Sequence, residues 1–342
     1  MRKPAFQSVT SLIAALAATA LAFAVFVAAS GYPALEALGL VIKGAFGSWF
    51  AWQNTLVRAA PIMFTALCVA IPARAGLVII GGEGALALGG LAAAMIPVVW
   101  AGEPVWLVMT GMAVVAWLTG GTWIGLSAWL RYRRGVNETI SSLLLAYIGQ
   151  AIFNFLVEGM LRDPASLNKP STSPIAPQYL INNIPGMEVH WGMVWGVVAC
   201  ILTWWLMRHT VFGFAVEVVG GNPRAAQMAG LPLGRLLMAS CVLGGGFAGL
   251  AGMFEAAAVQ GCANADLMVG YGYQGILVSF AARHHPLGVI AGAILVGGLG
   301  ASNSLLQRHL DLPDAASQVL QGMLFVSLLA FETLNRRGTR YA

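Results

Sequence analysis

The stretch GLVIIGGEGALALGGLAAAMIPVVW, residues Gly76–Trp100, decides the class of this protein. It is long enough for a membrane-spanning helix, which needs ~20 consecutive apolar residues. Its single charge is Glu83, flanked by Gly81, Gly82 and Gly84. A carboxylate in hydrocarbon is costly, so it has to face the interior of a bundle or a wet cavity. The glycines fit two causes. They let a neighbouring helix pack closely, or they permit an interrupted helix whose freed amides line a cavity. Glu83 is read either as a structural hydrogen-bonding group or as a group along a path, some seven residues into its helix.

The rest of the chain has the same character. Hydrophobic residues make up 58% of the 342 and charged residues 9%, against about 25% charged in soluble domains. Apolar runs lie near 10–30, 55–73, 76–100, 105–130, 138–158, 190–208, 235–258, 268–282, 286–306 and 315–333. The expected fold is all-α and polytopic, a single transmembrane domain over 1–342 with about ten spanning helices. The eighth run is short, and segment 32–53 is the other ambiguous one. The apolar part of the N-terminus, about Leu12 to Ala29, exceeds the ~7–15 residues of a signal-peptide core, so it is read as an uncleaved first span.

Charge sets the orientation. With the N-terminus in the cytoplasm, the inside holds Arg2, Lys3, Arg74, Arg131, Arg133, Arg134, Arg208, Arg224, Arg235, Arg283, Arg336, Arg337 and Arg340. Lys43, Arg58, Arg162, Lys169 and Arg308 fall outside or at an outer helix end. Positive charge collects on the cytoplasmic side of membrane proteins, so both termini are placed there. This also accounts for the net charge of +5 without a nucleic-acid partner. Cys68, Cys200, Cys241 and Cys262 are scattered, form no CxxC pair, and are read as small buried hydrophobes.

Two polar connections interrupt the spans. Residues 159–189, rich in Pro, Ser and Asn, are expected as an extracytoplasmic cap. Residues 209–234 form the longest cytoplasmic connection. Within it, GGNPRAAQMAGLPLG predicts a helix of about seven residues. Asn222 suits the N-cap, Pro223 the first turn, Gly230 the C′ position, and Pro232 prevents continuation. Ala225, Ala226 and Ala229 give it a small-residue face. So short a helix is marginal in water. It is a membrane-surface turn or a peg that enters a partner's groove.

GVNETISSLLLAYIGQ opens another span. Asn137 is the expected N-cap, and Glu138 suits the positive helix end. Ser142, Tyr147, Gln150 and Asn154 could line a polar route, although one helix cannot turn all of these groups to one face. GGGFAGLAGMFEAAA carries Gly244, Ala248 and Gly252 at four-residue spacing, a row that lets backbones approach closely.

Four stretches together resemble the permease subunit of bacterial ABC importers for simple sugars and nucleosides, within the branched-chain amino acid/ribose permease superfamily. GLVIIGGEGALALGG is similar to that family's N-I-G-x-E-G segment, and GVNETISSLLLAYI to its G-V-N-E-x-I-x-x-L-M-L-N-Y-I. GFAVEVVGGNPRAAQMAGLPLGR resembles its G-x-N-P-x-A-A-x-x-A-G-I coupling loop. GYGYQGILVSFAARHHPLGVIAGAILVGGL resembles its G-x-G-F-x-G-I-A-V-A-L-L-G-x-x-x-P-L-G.

The resemblance implies a type II importer fold in the bacterial cytoplasmic (inner) membrane. It also implies a second permease subunit, cytoplasmic ATPase subunits and an extracytoplasmic solute-binding protein. The coupling helix maps onto Asn222, Pro223, Arg224, Ala225, Ala226 and Gly230. Glu83, Asn137, Glu138, Ser142, Tyr147 and Asn154 are the expected path residues. The N-E-x-I and E-G pairs favour a nucleoside over ribose. Ile79 and Ala146 stand where the family has Asn, and Arg283-His284-His285 replaces a less charged stretch.

The chain has no G-x-x-x-x-G-K-[ST] loop, so ATP and Mg are expected in the partner ATPase and no cofactor in this chain. No nucleophile triad or metal-ligand cluster presents itself, which argues against an enzyme. From composition alone, the competing class is a secondary transporter coupled to protons or sodium through carboxylates such as Glu83.

Overall fold

A computed structural model describes residues 5–338 apart from position 314. The described residues form fourteen α-helices and no strand. They are α1 (Ala5–Ala29), α2 (Ala34–Phe46), α3 (Trp49–Arg74), α4 (Gly82–Val99), α5 (Val105–Arg134), α6 (Glu138–Glu158), α7 (Gly192–His209), α8 (Val211–Gly221), α9 (Pro223–Met228), α10 (Leu233–Phe254), α11 (Tyr271–Ala281), α12 (Pro286–Ala301), α13 (Asn303–Leu310) and α14 (Ala315–Gly338). Each of the ten apolar runs contains a helix, although some are helical over only part of their length. Six helical runs are long and apolar enough to cross a membrane: α3, α4, α5, α6, α10 with its extension to Gln260, and α12 through α13. The pair α7 and α8 adds a seventh if counted as one span, bent by 75° at the junction. Segment 32–53, left open by the sequence, forms α2 and the first turn of α3.

The chain divides into two compact units. The first comprises residues 1–58 and 294–342. Here α1 packs along α14, and α2 packs on α1 and α13. Phe23, Val27, Leu40, Val41, Leu306 and Leu320 close its core. The Thr55 hydroxyl donates to the Ala45 carbonyl at 2.7 Å and ties α3 to α2. Arg58, placed at an outer helix end from the sequence, lies well inside α3, because that helix starts at Trp49 rather than near residue 55.

The second unit, residues 59–293, is built around α4 and α10. Helix α4 is apolar on every side and buried on nearly every side, as expected of a central helix. Helix α10 packs on both α4 and α5. Gly252 makes the first crossing possible: a Cβ there would sit 2.6 Å from the Gly90 amide nitrogen. Close approach of backbones replaces the hydrophobic driving force that lipid cannot supply between helices. At its end α10 widens into a π-helical turn, Glu255–Gln260.

The 159–189 connection is an ordered strap across this end of α10. Thr172 N–H donates to the Ala263 carbonyl, Ile175 N–H to Gly261, and Ile181 N–H to Ala257, at 2.8–3.0 Å. Lys169 pairs with Asp266. Tyr179 is buried, and its hydroxyl donates to the Glu103 carbonyl at 2.9 Å. Residues 209–234 are not an open loop either. Most of them form α8 and α9.

Candidate functional site

The break before α4 defines the centre of the second unit. Helix α3 ends at Arg74, the chain turns at Gly76 with φ +80°, and residues 77–80 run without helical structure. Leu77 and Ile79 are buried while Val78 is 40% exposed, the alternation of an extended segment. Unpaired backbone at membrane depth has to be satisfied by protein. The first turn of α6 does this. Ser142 Oγ accepts from Ile80 N–H at 3.1 Å, and the Thr139 hydroxyl donates to the Val78 carbonyl at 3.0 Å. The helix therefore begins at Gly82, not at residue 76, and Glu83 lies in its first turn. The glycine-rich run that seemed to continue a helix instead interrupts one.

Glu83 is buried, and both its carboxylate oxygens are occupied. Oε1 accepts from Gly270 N–H at 2.8 Å and Oε2 from Gly272 N–H at 2.5 Å. These amides open α11, whose cap Gly270 has φ +90°. The carboxylate thus sits at the N-termini of two helices, its own α4 and α11, where the helix dipoles favour negative charge. The approach needs Gly272, since a Cβ there would lie 2.7 Å from Glu83 Cα. Helix α11 has 11 residues, about 16 Å at ~1.5 Å per residue. That is half the ~30 Å hydrocarbon core. The eighth apolar run is therefore a short helix entered through residues 261–270, whose only helical structure is a 3-10 turn at Ala265–Leu267.

Helix α6 separates its polar residues onto two faces. Ser142, Ala146, Gly149 and Phe153 are buried, and α6 packs on α4. At the crossing a Cβ on Gly84 would lie 2.7 Å from Ala146 Cα, which explains why glycine occupies position 84. Tyr147, Gln150 and Asn154, at i, i+3 and i+7, form a stripe on the open face, with Tyr147 56% exposed. Tyr273 of α11 lies close to Gln150 and Tyr147. Ser142 is thus separated from Tyr147 and Asn154. It holds the 77–80 segment instead.

Asn137 caps α6, accepting from Thr139 N–H at 2.9 Å and Ile140 N–H at 3.2 Å. Glu138 pairs with Arg131 at the end of α5. Both lie at the end of α6 away from the tyrosines.

Asn222 caps α9 in the same way, accepting from Arg224 N–H and Ala225 N–H at 3.1 Å each. Gly230 takes φ +78° after the helix. The helix has six residues, and its alanines do not form one exposed face. Ala226 is fully buried in a cluster with Val216, Val219, Leu236 and Leu237. Arg224, Ala225 and Gln227 are exposed, and Met228 is 85% exposed. Ala226 therefore seats the helix, and its neighbours present themselves outward.

The profile of the family described as branched-chain amino acid transport system / permease component matches residues 51–329. The chain belongs to this family. The glucose ABC transporter permease protein TsgB13 of Haloferax volcanii is 31% identical, over 96% of this chain and 88% of its own length. The guanosine ABC transporter permease protein NupP of Bacillus subtilis is also 31% identical, over 86% of this chain and 84% of its own. The nucleoside ABC transporter permease protein NupB of Lactococcus lactis is 24% identical, over 90% and 87%.

Three features of this permease escaped the sequence reading. Tyr273 is the α11 partner of the α6 stripe. Its signal was present in GYGYQG, two tyrosines and a glutamine within an apolar run. Glu255 is a second buried carboxylate, accepting from Gln260 Nε2 at 3.4 Å across the π turn. Its signal was the one charge in GGGFAGLAGMFEAAA, and π turns recur at functional sites. Met228 was overlooked because an apolar residue on a polar loop has no local pattern.

Proposed function

We propose that this chain is the membrane-spanning subunit of an ATP-driven importer in the bacterial cytoplasmic membrane, carrying a nucleoside or a simple sugar. Such solutes share a ring bearing several hydroxyls. The observation that carries the reading is the meeting of the α4 and α11 N-termini at Glu83, beside Tyr147, Gln150 and Tyr273. Discontinuous helices that meet inside a membrane protein form solute sites in transporters. Here the carboxylate holds the broken helices together. The exposed tyrosines Tyr147 and Tyr273 and the half-buried Gln150 and Asn154 supply hydroxyl and amide groups to a polar solute.

The reading makes 1–342 one permease domain of ten spans, with α1, α7, α11 and α14 added to the six long ones and both termini cytoplasmic. A second permease subunit completes the path, and a solute-binding protein docks at the strap. Helix α9 is the contact for a cytoplasmic ATPase, which binds ATP and Mg. Among relatives of the chain, some are named for glucose and others for guanosine or nucleosides. Both solute classes enter the test.

The test is uptake of labelled guanosine and of labelled glucose by the reconstituted complex, in vesicles with and without ATP on the ATPase side. ATP-dependent uptake of one of them is expected. Uptake that follows a proton gradient and ignores ATP would overturn the proposal.

A further inference from the structure

The end of the second unit where α3 and α7 finish and α12 begins contains a cavity of about 310 Å3. That is room for roughly ten waters at ~30 Å3 each. Its lining is Arg74, Arg208, His285, Glu217, Trp204 and Phe214, with Met207 and Pro286 behind. This pocket shares no lining residue with the Glu83 site and plays no part in the path proposed above.

The charges in the cavity do not balance. Arg74 is committed. It pairs with Glu217, and its guanidinium reaches the His284 carbonyl at 3.4 Å. Arg208 has no carboxylate partner among the described residues. His285 faces both arginines. Burial, then Arg74, then Arg208 hold its pKa below the ordinary histidine range. One carboxylate, Glu217, therefore stands against two guanidinium groups, Arg74 and the exposed Arg208, in a pocket that His285 also lines. An anion in the cavity would relieve this imbalance.

The surroundings indicate which anion. Helix α8 leaves α7 at 75°, so when α7 crosses the membrane α8 lies close to its surface. Gly213, Ala215, Val216 and Val219 of α8 face the protein. Val211 is 84% exposed and Phe214 67%. Trp205 is 54% exposed at the same end of α7, beside Trp204 in the cavity wall. Exposed apolar groups on a surface helix, with tryptophans at the helix end, mark the interface between lipid tails and headgroups. A basic pocket at that level suits a phosphate, which takes charge-assisted bonds from a guanidinium.

We propose that the cavity bounded by Arg74, Arg208 and His285 binds a phosphate group, carried by an anionic phospholipid or present as soluble phosphate. The proposal requires only the membrane setting of α7 and α8. It does not depend on which solute the permease carries.

The assembled importer is purified and its retained phospholipid measured by native mass spectrometry after exchange into phosphatidylglycerol or phosphatidylcholine. Binding of inorganic phosphate is followed in parallel by calorimetry. The variants are Arg208→Gln and the charge-retaining Arg208→Lys, each checked for monodispersity. Several-fold stronger retention of phosphatidylglycerol over phosphatidylcholine, lost in Arg208→Gln and largely kept in Arg208→Lys, assigns the site to lipid. Arg208-dependent binding of inorganic phosphate without preference between lipids assigns it to a soluble phosphate. Equal retention of both lipids with no Arg208-dependent phosphate binding overturns the proposal. So does an Arg208→Gln variant that only sheds the ATPase, which would give the cavity to the protein interface.

Discussion

Two glycine-flanked motifs of this chain, GGEG at 81–84 and GGNPRAAQMAG at 220–230, read alike in sequence and behave oppositely in the structure. Both open a helix. Glu83 at the first faces inward, and both its oxygens are taken by backbone of the same chain. The second buries one small side chain, Ala226, and leaves the rest of its helix exposed. A motif whose polar atoms are consumed internally acts by holding shape. A motif seated by one alanine, with its other side chains open, is built to be touched. The difference predicts that damage at the first is read as instability and damage at the second as lost coupling.

The largest effect is expected from Glu83→Ala. It leaves the Gly270 and Gly272 amides without an acceptor, at roughly 1–3 kcal/mol each. The thermal midpoint of the purified permease should fall steeply. Glu83→Gln keeps one acceptor oxygen and should lose about half as much while retaining uptake. If Glu83→Gln kept full stability and abolished uptake, the comparison would break, since the charge itself would then be at work.

Ala226→Arg comes next. A guanidinium cannot remain in that cluster unpaired, so α9 should swing out and become open to proteolysis, with uptake lost. Met228→Arg sharpens the contrast. An exposed substitution should change stability by less than ~0.5 kcal/mol, yet uptake and transport-linked ATP hydrolysis should drop. Unchanged uptake in Met228→Arg would remove α9 as the ATPase contact.

Asn222→Ala should cost about 1 kcal/mol through the lost cap, visible as faster proteolysis around α9. Arg131→Gln leaves Glu138, whose side chain is only 7% exposed, without its guanidinium, so it should cost more than the ~0.2–1 kcal/mol of a fully exposed pair, read as a lower thermal midpoint.

The apolar runs were legible because lipid imposes both length and composition on anything that crosses it. The caps at Asn137 and Asn222 were legible because an N-cap bonds only two or three residues ahead. The partners of Glu83 were not. They lie 187 and 189 residues away, and a glycine amide carries no side-chain signature. The glycines around Glu83 raised two possibilities, a broken helix and close packing, and the structure contains both. Residues 77–80 are non-helical, and Gly84 rests on Ala146. Helical periodicity does relate Tyr147, Gln150 and Asn154. Their α11 partner Tyr273 required the fold.

The segment 261–270 is fastened at both ends. Its start is stitched to the strap through Gly261 and Ala263, and its end donates the Gly270 amide to Glu83. It behaves as a tie rod rather than a loop. Ten residues of chain thus link the strap to the joint between α4 and α11.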